Sequence, residues 1–342
     1  MDTNSPGGRR RFLTGLTTLA VTAAIGRPTF GASEASPPAP PAPAPADGPA
    51  FFPGFQPLEV EVADMHFRGV LGGAGPPVLL LHGYPETHIT WRLVAPELAR
   101  SYTVIIPDLP GYGDSDTRAD TPRWTKRRVG DALVQLLAQL GHRQFSVIGH
   151  DRGARAAYRL ALDHPQQVRA LVALSVVPTL DALEAVDQDF AVHNFHWFLF
   201  AQPFDLPERL LASAPDQFIT SALARMTAGV APLEPAVLAA YRAAFRKSSA
   251  RHAMCEDYRA ALAEDAAADA ADRAAGHQLA CPVLVLYPAE MAKTGAATPV
   301  ATWQRWAADV SGKALPGGHL LPEESPALVL AEVGPFLRRA HS

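Results

Sequence analysis

The chain reads as an α/β fold: a mostly parallel, doubly wound sheet interrupted once by an inserted helical cap. Three observations predict it. First, apolar runs at residues 77–81, 102–106, 145–148, 168–177 and 283–287 have the length and composition of strands buried on both faces. Second, helical stretches separate them. Residues 125–140 carry an apolar face of Val129, Leu133, Leu136, Leu137 and Leu140, with a stop at Gly141. Strands alternating with helices imply a parallel sheet. Third, residues 179–276 are Ala-rich and helical, with no apolar strand run. That stretch reads as a cap over the C-terminal ends of the strands, where such sheets bind ligands.

The remaining elements follow in order. Residues 58–62 alternate like a half-buried strand, with 67–70 as hairpin partner and a turn at Gly72-Gly73. Residues 91–99 read as a helix. Asp108 and Asp114 read as turn and cap residues around the loop at 111–115. A helix over 152–162 ends at His164-Pro165. Late in the chain come a helix at 303–308, a short strand at 313–315 and a closing helix at 326–339.

The N-terminus is set apart. Arg9-Arg10-Arg11-Phe12-Leu13, a weakly apolar stretch over 16–25 and small residues at 32–35 resemble a twin-arginine-type signal peptide spanning 1–35. The stretch is too short and too broken by Thr and Gly to span a bilayer. Export to the periplasm or beyond is the expectation. Residues 36–53, nearly all Pro and Ala, read as an extended spacer outside the fold. The core then takes 54–178 and 277–342. A net charge of −4 leaves no nucleic-acid footprint. Cys255 and Cys281 are too few for a disulfide framework. No metal or organic cofactor is implied. The expected partner is a small molecule, with no membrane once the leader is removed; a homodimer is compatible with the sequence.

The chemistry concentrates where the strand at 145–148 meets the next helix, at Gly149-His150-Asp151-Arg152-Gly153. Gly-x-Asp-x-Gly on a strand-to-helix turn has the pattern of a nucleophile elbow, whose tight turn leaves no room for a neighbouring Cβ. Here the nucleophile is Asp151. A serine attacking a saturated carbon would form an ether that water cannot readily cleave. A carboxylate forms an ester, which can be hydrolysed to reset the enzyme. Asp151 therefore points to displacement at an sp3 carbon, in a carbon–halogen bond or an epoxide. Arg152 and Arg155 follow in the first helical turn. Two guanidiniums beside the nucleophile, with the helix N-terminus, suit a substrate carboxylate. A small 2-halo acid is the favoured substrate, and an epoxide the rival.

Gly-His-Asp-Arg-Gly-Ala-Arg resembles the elbow of the fluoroacetate (haloacetate) dehalogenases, α/β hydrolases related to epoxide hydrolases and haloalkane dehalogenases. His82-Gly83-Tyr84-Pro85-Glu86-Thr87-His88, Asp108-Leu109-Pro110-Gly111-Tyr112-Gly113, His196-Trp197, Cys255-Glu256-Asp257-Tyr258-Arg259-Ala260 and Gly318-His319 agree with that family. The resemblance implies halide binding by His196, Trp197 and Tyr258. It also implies an oxyanion hole from the backbone N–H groups of Tyr84 and Arg152. His319, in Gly317-Gly318-His319 late in the chain, stands where the water-activating base is expected. His82 reads as structural. One departure stands out: Ser175 occupies the position where the family has the acid that orients its histidine. Glu290, after the next strand, is the natural substitute. Without any such acid the chain could bind carboxylates yet turn over poorly.

Overall fold

The computed structural model describes residues 48–117, 123–227, 233–292 and 297–341. The expected signal peptide and most of the spacer lie outside the described residues. The spacer was expected to run to Pro53, but Phe52 is 1% exposed. Its ring lies 5.5 Å from Phe55 and 5.7 Å from His88. An aromatic that can be buried joins the core even at the end of a Pro-rich stretch.

One nine-stranded sheet organises the described chain, in the order β1-β2-β4-β3-β6-β7-β8-β9 with β5 against β2. The strands are β1 (Gln56–Val62), β2 (Met65–Gly72), β3 (Pro77–Leu81), β4 (Thr103–Pro107), β5 (Asp116–Thr117), β6 (Phe145–His150), β7 (Val168–Leu174), β8 (Val283–Pro288) and β9 (Val310–Leu315). β1, β2 and β5 pair antiparallel, as do β2 and β4; every pairing from β4 through β9 is parallel. Alternation along the strands feeds two apolar cores. Leu79, Leu81, Val147 and Ala173 face one, with Leu133, Leu136 and Tyr158. Val78, Leu80, Ile148 and Val172 face the other, with Trp91, Val329, Val333 and Phe336.

The core helices are α1 (Ala95–Leu98), α2 (Lys126–Gln139) and α3 (Arg152–Asp163). Among the described residues between β7 and β8 lie eight helices: α4 (Thr179–Glu184), α5 (Gln188–His193), α6 (Phe195–Phe200), α7 (Leu206–Ser213), α8 (Pro215–Met226), α9 (Pro235–Arg246), α10 (Ser248–Ala260) and α11 (Ala266–Ala275). A π-turn at Ala261–Asp265 joins the last two. α12 (Pro299–Trp303), α13 (Leu321–Glu324) and α14 (Pro326–His341) complete the chain.

Three elements differ from expectation for local reasons. The strand expected over 168–177 stops at Leu174, because Ser175 takes φ 62°, which no strand residue adopts. The helix expected over 303–308 instead occupies Pro299–Trp303. Thr298 caps it through its side chain and Pro299 fills the first turn, start signals that outrank the apolar residues downstream. The helix expected over 91–99 divides into a 3-10 turn, His88–Leu93, and α1.

Candidate active site

β6 and α3 meet at Asp151, whose backbone takes φ 45° and ψ −116°. A non-glycine residue there carries about 1–3 kcal/mol of strain, held in place by its surroundings. The turn is packed hard against β3. A Cβ added at Gly153 would lie 2.3 Å from the Leu81 carbonyl oxygen, so only glycine fits. The strain aims the carboxylate. Asp151 Oδ1 accepts the Tyr84 N–H at 3.0 Å. Its Oδ2 lies 3.5 Å from His319 Nε2. The two oxygens therefore have different surroundings. Burial alone would raise the carboxyl, but His319, then His150 and Arg152, outweigh it and hold Asp151 well below the usual range. It is a carboxylate at neutral pH.

His82 is structural, as expected. Its Nδ1–H donates to the Gly83 carbonyl at 3.0 Å and its Nε2 accepts the Leu109 N–H at 2.9 Å. That holds the loop carrying the Tyr84 N–H. Asp108, expected at a turn, is instead a fully buried hub. It accepts from the backbone N–H groups of His88 and Asp114 and from the His88 ring.

The two arginines are both buried, at 0% and 3% exposure, yet are wired differently. Arg152 donates through Nε and Nη2 to both oxygens of Asp257 at 2.8 Å, and Lys126 Nζ pairs with the same carboxylate. Arg152 and then Lys126 overcome the effect of burial and hold Asp257 low. Arg155 has no acid within ion-pair distance among the described residues. Its one hydrogen bond is from Nη1 to Thr179 Oγ1 at 3.1 Å, and its guanidinium lies 4.8 Å over the Trp197 ring. Arg152 Nη1 and Arg155 Nε are buried with no partner. Buried unpartnered N–H groups on cations are costly, so they mark a place built for an anion.

The aromatic residues converge on the same volume. His196 stacks on Tyr84 at 5.2 Å and lies 5.5 Å from Tyr258, which is 5.8 Å from Trp197 and 4.5 Å from the Arg152 guanidinium. Burial pulls the His196 imidazole down to about 4, so it is neutral and donates one N–H. Burial, then the charge on Asp151, pushes the Tyr258 hydroxyl well up. Tyr84 Oη is buried without a partner.

The structure thus brings together Asp151, His319, Arg152, Arg155, His196, Trp197, Tyr258 and the Tyr84 N–H. It does not bring Glu290 to them. Glu290 is exposed on the 3-10 turn after β8, and the contacts of His319 among the described residues do not include it. Where the resemblance expects an acid, Ser175 Oγ donates to the His319 carbonyl at 2.8 Å. Sequence reasoning also missed the Lys126–Asp257 pair, whose members are 131 positions apart, and the link from Arg155 to Thr179 at the start of the cap. No local pattern announces such pairings. Separately, a cavity of about 110 Å³ is lined by Tyr112, Trp124, Lys126 and Asp257, and by neither Asp151 nor His319.

Comparison with known proteins agrees with this architecture. Residues 76–325 match the α/β-hydrolase fold family. The chain is 35% identical over 295 residues to a fluoroacetate dehalogenase of Burkholderia sp, across 85% of this chain and 96% of that protein. It is 30% identical over 272 residues to a soluble epoxide hydrolase of Corynebacterium sp., across 78% and 91% of the two chains. Among solved structures, a threonine-to-aspartate mutant of a Pseudomonas aeruginosa protein provisionally named an epoxide hydrolase, with bound MFA, shares 47% identity; its TM-score is 0.82, over 85% of this chain and 98% of that one. An elbow on a parallel sheet under a helical cap, with relatives matched along most of both chains, places this protein among the hydrolases of the α/β-hydrolase fold family, to which it belongs.

Proposed function

We propose that the protein hydrolyses a small 2-halo acid, releasing halide and the 2-hydroxy acid through an ester on Asp151. One observation carries the choice of substrate: two buried guanidiniums beside Asp151 keep unpartnered N–H groups, and Arg155 has no acid partner among the described residues. A substrate carboxylate supplies what they lack.

In the first step Asp151 Oδ2 attacks the halogen-bearing carbon. The carbon–halogen bond breaks, and its electron pair leaves with the halide. His196, Trp197 and Tyr258 offer the halide ring N–H and O–H donors in exchange for its water. Oδ1 becomes the ester carbonyl oxygen, already held by the Tyr84 N–H. In the second step His319 takes a proton from water, which attacks Asp151 Cγ. Negative charge gathers on Oδ1, facing Tyr84 N–H with the Arg152 N–H as second donor. Collapse expels the hydroxy acid as an alkoxide, which recovers a proton from His319, and the Asp151 carboxyl loses its remaining proton to solvent to regenerate the carboxylate.

Halide release from fluoroacetate and chloroacetate tests this, with Asp151→Asn as control. Neutral epoxides turned over faster than either acid would overturn the substrate choice. The epoxide reading has its own support in Tyr84 and Tyr258, buried phenols able to donate to an epoxide oxygen. Carboxylate binding by calorimetry without halide release would favour a binding protein instead. We carry the export proposal alongside; fractionation of cells making the full chain decides it, and retention of the whole chain in the cytoplasm would reject it.

A further inference from the structure

The resemblance leaves one catalytic part without an occupant, the acid that orients His319. Apart from the Asp151 carboxylate 3.5 Å from its Nε2, the polar contacts of His319 among the described residues act on its main chain. Its N–H donates to the Met226 carbonyl at 2.7 Å. The flanking N–H groups of Gly318 and Leu320 both donate to Glu324 Oε2, at 3.0 and 3.1 Å. Its carbonyl oxygen accepts Ser175 Oγ–H and His150 Nε2–H, both at 2.8 Å. Behind His150, Nδ1 lies 2.8 Å from Glu86 Oε2, and Thr90 donates to the other oxygen of Glu86 at 2.7 Å. His150 and Glu86 are fully buried, and Ser175 nearly so.

A carbonyl and a carboxylate are both acceptors. With Glu86 as a carboxylate, His150 satisfies both only with a proton on each ring nitrogen, as an imidazolium. Its ring centroid lies 5.1 Å from that of His319, and Asp151 is its neighbour in sequence. Burial opposes the imidazolium, but Glu86 prevails. The strained backbone of Ser175, at φ 62°, turns its hydroxyl onto the His319 carbonyl.

We infer that His319 is oriented through its main chain: Ser175 and a protonated His150, held by Glu86, grip its carbonyl and take over the constraint that the resemblance expects from an acid on the ring. These three are positioning residues, and their effect falls on the step His319 performs. The kinetic part of the inference rests on the reading of Asp151 as an ester-forming nucleophile; the protonation of His150 does not.

Two experiments on the folded protein test it. Nitrogen NMR of the ring-labelled protein, without substrate and at neutral pH, is expected to show both His150 nitrogens protonated, and only one in Glu86→Gln. A neutral His150 in the unaltered protein overturns the inference. Second, rapid quench with chloroacetate and intact-mass detection follows the Asp151 ester. Ser175→Ala and Glu86→Gln are expected to leave the first halide burst within about twofold while slowing ester decay by about tenfold or more, a fraction of what a general base contributes. Ser175→Thr, which keeps the hydroxyl, restores the decay. Unslowed decay in both variants, or equal slowing of both steps, overturns the positioning role. If neither haloacids nor epoxides label Asp151, the proposed function fails, while the NMR measurement still decides how His150 is bound.

Discussion

Arg155→Met separates what this residue does for a ligand from what it costs the fold. The guanidinium is 3% exposed, with one hydrogen bond to Thr179 and no acid partner among the described residues. Burying an unpaired ion costs several kcal/mol even after relaxation. Against that stand about 1.5–3 kcal/mol for the charged hydrogen bond and about 1 kcal/mol for the stacking over Trp197. The balance favours methionine by about 1–2 kcal/mol. At about 2.1 cal/mol/K of unfolding entropy per residue, 1 kcal/mol is worth roughly 1.5 °C in a chain of this size, so Tm should rise by about 1.5–3 °C. The ligand side moves the other way. Loss of charge-assisted bonds worth about 1.5–3 kcal/mol should raise KM for a haloacetate roughly 10–150-fold, with little change for a neutral epoxide. Differential scanning calorimetry and steady-state halide release measure the two. A lower Tm together with an unchanged KM would refute the reasoning, because Arg155 would then be a structural residue already satisfied.

Three other outcomes are expected. Asp257→Asn removes the charge shared by Arg152 and Lys126; leaving two buried cations unbalanced should cost about 3–5 kcal/mol in a urea melt, and a loss under 1 kcal/mol would contradict the pairing. His196 has its imidazole pulled down to about 4, so it contributes stability above pH 6.5 that is lost as the pH falls toward 4 and the unfolded chain takes up the proton. The stability gap between the unaltered protein and His196→Phe should therefore shrink by about 2–3 kcal/mol from pH 7 to pH 4.5, and a constant gap would sink the assignment. Gly83→Ala would put a Cβ 2.5 Å from that of Asp151, displacing both the Asp151 carboxylate and the adjacent Tyr84 N–H. Turnover should fall by about 100-fold or more, the scale of a lost oxyanion donor, and wild-type turnover would refute the close packing.

What could be read in advance follows from the range of the forces involved. The elbow was legible because its requirements are local: an apolar strand, a glycine turn, a helix with small residues. The central strands were legible for the same reason. The end of β7 was not, because Ser175 sits between Leu174 and Val176 with nothing nearby to announce its positive φ. Helix α12 was misplaced because Trp303 and Trp306 look like a helical face, whereas the cap at Thr298 sets the start. Lys126 opens an amphipathic helix, the usual place for a solvated charge, yet it is 3% exposed. Its partner Asp257 comes from the cap, and only the folded chain brings the two together. Chain order alone points to Glu290, and chain order does not carry distance.

In the proposed mechanism the two half-reactions draw on separate parts of this site. Alkylation would depend on α3 and the cap: Arg152, fixed by Asp257, would orient the ligand, while Arg155, with no acid partner among the described residues, would supply the attraction. Ester hydrolysis depends on the loop after β9, tied through the His319 main chain to β6, β7 and the end of α8. That last tie matters. The Met226 carbonyl belongs to the cap, so a displacement of that end of α8 would pull on the backbone of His319. The aim of His319 is thereby tied to the position of the cap, since the contact to Met226 and those from Ser175 and His150 hold the same stretch of backbone.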